Sequence, residues 1–219
     1  MKLPRYLKIL SEVKKDIIFN RLPILIINED KYLWQSNTII RYLSNLTKTK
    51  PSDEFQLAYC DAVFESTHEM FSPLNPTINM TFGEKYNSNK KKLLEDILPN
   101  SLNNFEKLLQ NSSGNFFIGN DPFYCDFNAY HHFSMCLILD KNIFSNFPNL
   151  KKFINNFEKL NNIKNYLDGR PELVELGKSP HFLINGKKRG LIQTKPNIAE
   201  EILFQICLLY TSPSPRDRG

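Results

Sequence analysis

Three residues could bind a small charged molecule together: Pro23, Gln35 and Ser36. Pro23 precedes the apolar run Ile24-Leu25-Ile26-Ile27, and Gln35-Ser36 follows Tyr32-Leu33-Trp34. A helix with Ile39, Leu43 and Leu46 on one stripe then begins. The first N–H groups of a helix have no partner inside it, and its dipole places partial positive charge there. A hydroxyl and a carboxamide beside those donors suit a carboxylate. A plainer reading stands next to it: Ser36 caps the helix, and Pro23 starts an edge strand.

Other chemistry is sparse. The four cysteines Cys60, Cys125, Cys136 and Cys207 form no C-x-x-C pair, and the histidines His68, His131, His132 and His181 stand at no zinc spacing. No metal site is expected. The cysteines read as buried thiols of a reducing compartment. His131 and His132 are adjacent, so on a helix their rings diverge by about 100°, and they read as structural. The formal charge of +5 is spread among many lysines, and the run Lys90-Lys91-Lys92 borders Glu95 and Asp96. That is a solvated helix face, not a nucleic-acid footprint. No apolar run approaches the roughly 18 residues of a membrane span, and Met1-Lys2-Leu3-Pro4-Arg5 does not open a signal peptide. A cytoplasmic location with no membrane partner follows.

The elements that must position these residues come in a definite order. Leu22–Ile27 and Tyr32–Trp34 read as an antiparallel hairpin around the polar turn 28–31. After the first helix, 47–52 is a polar linker with Pro51. Asp53 with Gln56 makes a capping-box pattern at the start of a second helix, which Pro73 and Pro76 are expected to end. A long helix over about 85–110 should kink at Pro99. Further helices are expected near 125–139, from Phe147-Pro148 onward, and over 163–167. Strands first and helices after predict an α+β fold in two segregated layers. From Leu191 the character changes to a Pro- and Ser-rich end, read as a tail that is disordered or foreign to the protein.

This layout resembles the cytosolic glutathione transferases. The resemblance rests on Pro23 with Gln35-Ser36, on Leu98-Pro99, on Phe117-Ile118-Gly119-Asn120-Asp121 through Asp126-Phe127-Asn128-Ala129-Tyr130, and on Phe147-Pro148-Asn149-Leu150 through Tyr166. It covers roughly residues 6–185, with the mu class nearest and sigma and pi close. It implies a truncated thioredoxin-like part over 1–47, an all-helical C-terminal domain over 48–190, and a tail over 191–219.

The resemblance also implies roles. Pro23 would be a cis-proline that turns the backbone of Leu22 toward the cysteinyl backbone of glutathione. Gln35 and Ser36 would hold the γ-glutamyl carboxylate. Lys14 or Lys15 would face the glycyl carboxylate, Tyr6 stands loosely where mu enzymes carry a Trp, and Glu69 would reach the γ-glutamyl amine across a dimer. The lysines and Glu69 also read as ordinary surface residues. Phe19 would be the aromatic key of the homodimer interface, or a local core residue. Met70, Phe71 and residues 73–83 lie near the second, apolar pocket. Glutathione would be a co-substrate, conjugated as its thiolate to small apolar electrophiles in detoxification, with no other cofactor.

Two departures accompany the resemblance. The first strand–helix–strand, with the Tyr that stabilises the thiolate, has no counterpart, so no catalytic residue is assigned. The chain is expected either to extend upstream of Met1 or to be a repurposed relative, and a non-catalytic binding or structural protein is the alternative. Phe123 also stands where the family caps its central helix with Ser or Thr. Asp121 with Pro122 offers a shifted start.

Overall fold

The alternation around Asn28 folds the first apolar runs back on each other. In the computed structural model, which describes residues 19, 23–28, 31–169 and the backbone of 181–184 and 187–190, strand β1 (Ile24–Ile27) pairs antiparallel with β2 (Lys31–Trp34). Asn28 takes φ 51°, a left-handed turn conformation that Asn tolerates better than most residues. Helix α1 (Ser36–Thr47) follows directly. Its predicted stripe is only half covered. Ile39 is half-buried, while Leu43 and Leu46 are 39% and 65% exposed.

The described residues fall into two units, one reaching Leu46 and one beginning at Thr47. The second is a helical bundle. Asp53 caps α2 (Glu54–Met80), with Oδ1 accepting from the Gln56 N–H at 2.8 Å, as the capping-box pattern predicts. The expected stop at Pro73 and Pro76 does not occur: both prolines lie inside α2. Each removes a ladder bond and costs about 3 kcal/mol. Leu74 between them and Ile78 after them are fully buried, which returns about 1.5–3 kcal/mol apiece. Side chains also satisfy carbonyls along this turn. The Thr77 hydroxyl donates to the Pro73 carbonyl at 3.0 Å, and the Thr81 hydroxyl to that of Thr77 at 2.8 Å.

The predicted 85–110 helix is three pieces: α3 (Gly83–Lys92), a π-turn (Leu93–Ile97), and α4 (Leu98–Gln110). In the π-turn the Leu98 N–H reaches back to the Leu93 carbonyl. Widening the ladder just before Pro99 absorbs the missing proline N–H, so the proline sits in the first turn of α4.

Helix α5 (Tyr124–Leu139) is the buried centre, with eleven buried residues. Phe133 lies edge-on to Phe105, Phe144 and Phe153. Helices α6 (Pro148–Glu158) and α7 (Asn161–Gly169) close the bundle. A second short hairpin, β3 (His181–Ile184) with β4 (Lys187–Gly190), was not foreseen within the helical domain. The predicted tail lies outside the described residues.

Candidate functional site

The hairpin register builds the site. Ile24 pairs with Trp34, so Pro23 and Gln35 flank the last ladder pair at the same end of the hairpin. Gln35 takes φ 70°, a left-handed conformation that costs a non-glycine residue roughly 1–2 kcal/mol. The helix begins at that point: the Gln35 carbonyl accepts from the Ile39 N–H at 3.0 Å. Gln35, not Ser36, is therefore the cap, and Ser36 is the first helical residue with its side chain exposed.

This arrangement leaves the N–H groups of Ser36, Asn37 and Thr38 outside the α1 ladder. The first turn of α1 carries no acidic residue that would occupy the positive end. Pro23, Gln35 and Ser36 are all exposed. What results is an open cradle of backbone donors, one hydroxyl and one carboxamide, suited to a carboxylate.

The other predicted residues are placed as follows. Leu22, Lys14, Lys15 and Tyr6 lie outside the described residues. Phe19 sets its ring edge-on to Trp34, with centroids 5.7 Å apart at 83°, while remaining 56% exposed. Glu69 is an exposed residue of α2. Met70 is buried in the helical unit at 3% exposure. Phe71 is half-buried and stacks on His132 at 4.1 Å and 10°.

Two carboxylates of the helical unit act as structural caps. Phe123 does precede α5, so the shifted start at Asp121 is not adopted. Its ring cannot accept a hydrogen bond, yet the helix end is served from elsewhere. The Thr49 carbonyl accepts from the Tyr124 N–H at 2.8 Å. Asp126 accepts from the Phe123 N–H at 2.8 Å and the Phe117 N–H at 3.0 Å. Burial raises the Asp126 carboxyl to about 6, and these two donors work against the rise. The second cap joins two helices that are distant in the sequence. Glu106 of α4 accepts from Asn149 N–H and Nδ2 at 2.9 and 2.7 Å, and from Leu150 N–H at 2.9 Å. It thereby caps α6 from a different helix. An acid on the buried face of a predicted helix was the only available signal.

His132 is 3% exposed, and among the described residues its Nδ1 is a buried polar atom without a partner. Burial, with His131 and His68 adding to it, depresses the ring to about 3, so it stays neutral. This fits the structural reading of the histidines. Among the described residues no group of three or more His, Cys, Asp or Glu could hold a metal ion, and no helix is long and apolar enough to cross a membrane.

Residues 68–170 match the family model of the glutathione S-transferase C-terminal domain. A glutathione S-transferase of Plasmodium yoelii yoelii is 32% identical over 161 residues, which is 74% of either chain. The chain belongs to the glutathione S-transferase family. Glutathione S-transferase P of Caenorhabditis elegans is 28% identical over 180 residues, 81% of this chain and 82% of that one. Human glutathione S-transferase Mu 3 is 29% identical over 154 residues, 70% of this chain and 65% of the other. Relatives thus carry both pi and mu names. Among solved structures, the pi-class glutathione S-transferase of Onchocerca volvulus superposes with a TM-score of 0.67 at 26% identity, covering 74% of this chain and 76% of that one. The family's two-part architecture, a thioredoxin-like part and a helical domain, accounts for the hairpin with α1 and for the bundle that follows.

Proposed function

We propose that the cradle at Pro23, Gln35 and Ser36 is where this glutathione transferase holds its co-substrate. The observation that carries this reading is the convergence of Pro23 and a left-handed Gln35 at one hairpin end, directly before an acid-free helix N-terminus. The γ-glutamyl carboxylate docks on the N–H groups of α1, with the Ser36 hydroxyl and Gln35 carboxamide beside it. The backbone of Leu22, next to Pro23, pairs with the cysteinyl unit as one more strand would. Lys14 or Lys15 faces the glycyl carboxylate, and Glu69 meets the γ-glutamyl amine across a homodimer in which Phe19 is the contact residue.

The chemistry is that of a bound nucleophile. The glutathione sulfur, as thiolate, attacks an electrophilic carbon, the carbon–sulfur bond forms, and the leaving group departs with its electron pair. Holding both reactants removes most of the entropic cost of the encounter. The electrophile is small and largely apolar. A cytoplasmic detoxification role agrees with the free thiols Cys60, Cys125 and Cys136.

The test is steady-state kinetics with glutathione and an aryl chloride. Ser36→Ala removes one hydrogen bond to a charged group, worth about 1.5–3 kcal/mol. The KM for glutathione should rise roughly tenfold or more with kcat little changed, because that contact is the same in ground and transition states. An unchanged KM would place the carboxylate elsewhere.

A further inference from the structure

Helices α2 and α5 run parallel in a fixed register. The Asn128 side chain donates to the Phe64 carbonyl at 3.3 Å and to the Thr67 hydroxyl at 2.8 Å. One turn further on, His132 stacks on Phe71 and stands 6.1 Å from His68. One turn back, the same register sets Cys60 opposite Cys125. There the two thiols are close enough to perturb each other, the Cys125 thiol donates to Asp126 Oδ2 at 3.6 Å, and the Tyr124 hydroxyl donates to Asp61 at 2.8 Å. Both cysteines are free and fully buried.

We propose that Cys60 and Cys125 form a dithiol that hydrogen peroxide closes to a disulfide, tying α2 to the first turn of α5. The surroundings assign the roles. The neighbouring Cys125 thiol, with Tyr124 beside it, lowers the Cys60 thiol from its usual range against burial and the Asp126 charge, whereas burial pushes Cys125 up. Cys60 is therefore the attacking sulfur. Its thiolate takes one peroxide oxygen, the O–O bond breaks, and hydroxide leaves as water with the former thiol proton. The Cys125 sulfur then attacks the Cys60 sulfenic acid, and a second water departs with the Cys125 proton. Two thiols lose two electrons and one peroxide gains them. Peroxide is small enough to reach a buried pair, and glutathione disulfide is not. Cys136, equally buried, has burial raising it to about 12 and stays a thiol.

The full chain is exposed to hydrogen peroxide under native conditions, alkylated, and mapped by non-reducing peptide mass analysis. The expected product is a single cross-linked peptide pair containing Cys60 and Cys125, about 2 Da lighter than the reduced pair and restored by dithiothreitol. Cys125→Ser should halt the reaction at a Cys60 sulfenic acid that dimedone traps. The wild-type map stands without any variant. A disulfide between other cysteines overturns the proposal. So do oxidation of Cys60 or Cys125 without a cross-link, and four thiols left intact by peroxide that oxidises the unfolded chain.

Discussion

Replacing Glu106 by Ala removes a carboxylate that serves three donors at the start of α6: Asn149 N–H and Nδ2 at 2.9 and 2.7 Å, and Leu150 N–H at 2.9 Å. Glu106 is 9% exposed, and Leu150 is fully buried, so little water can replace it. Each buried donor left unpaired costs about 1–3 kcal/mol. The two backbone N–H groups alone therefore predict a loss of about 2–6 kcal/mol, a large part of a typical domain stability of about 5–15 kcal/mol. Glu106→Gln keeps one acceptor oxygen but turns an N–H₂ toward one of the donors, and should lose about 1–3 kcal/mol. Urea unfolding followed by far-UV circular dichroism reads these losses as shifts in midpoint. Glu95→Ala is the control, because its ion pair with Lys91 is long at 4.0 Å and 62% exposed on the Glu95 side. It should stay within about 0.5 kcal/mol of the parent. If Glu106→Ala also falls within that margin, the carboxylate does not hold α6 and the reasoning fails.

Three further outcomes follow from the same structure. Burial raises Asp126 to about 6 from an ordinary 3.8, so between those values the folded chain keeps a proton that the unfolded chain has lost. Its contribution is present below about pH 4 and fades as pH rises through 6, by about 3 kcal/mol in all. Stability-versus-pH curves of Asp126→Asn should lack this slope, and an unchanged curve would refute it. His132 has the opposite sign. Depressed to about 3 from 6.5, it resists protonation in the fold, so stability falls as pH drops below 6.5. His132→Phe should flatten that acid limb in thermal unfolding, and a limb of the same depth would locate the acid sensitivity elsewhere. Gln35→Gly relieves the left-handed strain at φ 70° and should leave the melting temperature unchanged or slightly higher while weakening glutathione. A lower melting temperature with intact binding would contradict the placement of Gln35.

Much of the architecture was legible because its signals are local. The Asp53–Gln56 cap, the polar turn at Asn28 and the spacing of Leu150, Phe153 and Phe157 each act within one element, and each is found in place. The prolines misled where tertiary burial outweighed a local rule. Pro73 and Pro76 break a lone helix, but Leu74 between them and Ile78 after them are anchored in the core. Pro99 was expected to bend a helix and instead follows a π-turn, a remedy that depends on the Leu93 carbonyl one wide turn back. For the site, Gln35 and Ser36 were visible as residues. Which of them caps the helix was not, since that depends on the backbone conformation at Gln35. The Glu106 cap and the Cys60–Cys125 contact join residues 43 or more positions apart, and one sequence carries no register between distant helices.

Titration of the purified chain with glutathione, read by calorimetry or by the fluorescence of Trp34 beside the cradle, tests the central claim most directly. The account predicts saturable binding of one glutathione per chain, weakened about tenfold or more by Ser36→Ala and by Gln35→Gly. Glutathione that does not bind the folded chain, or binds equally well to both variants, would contradict it.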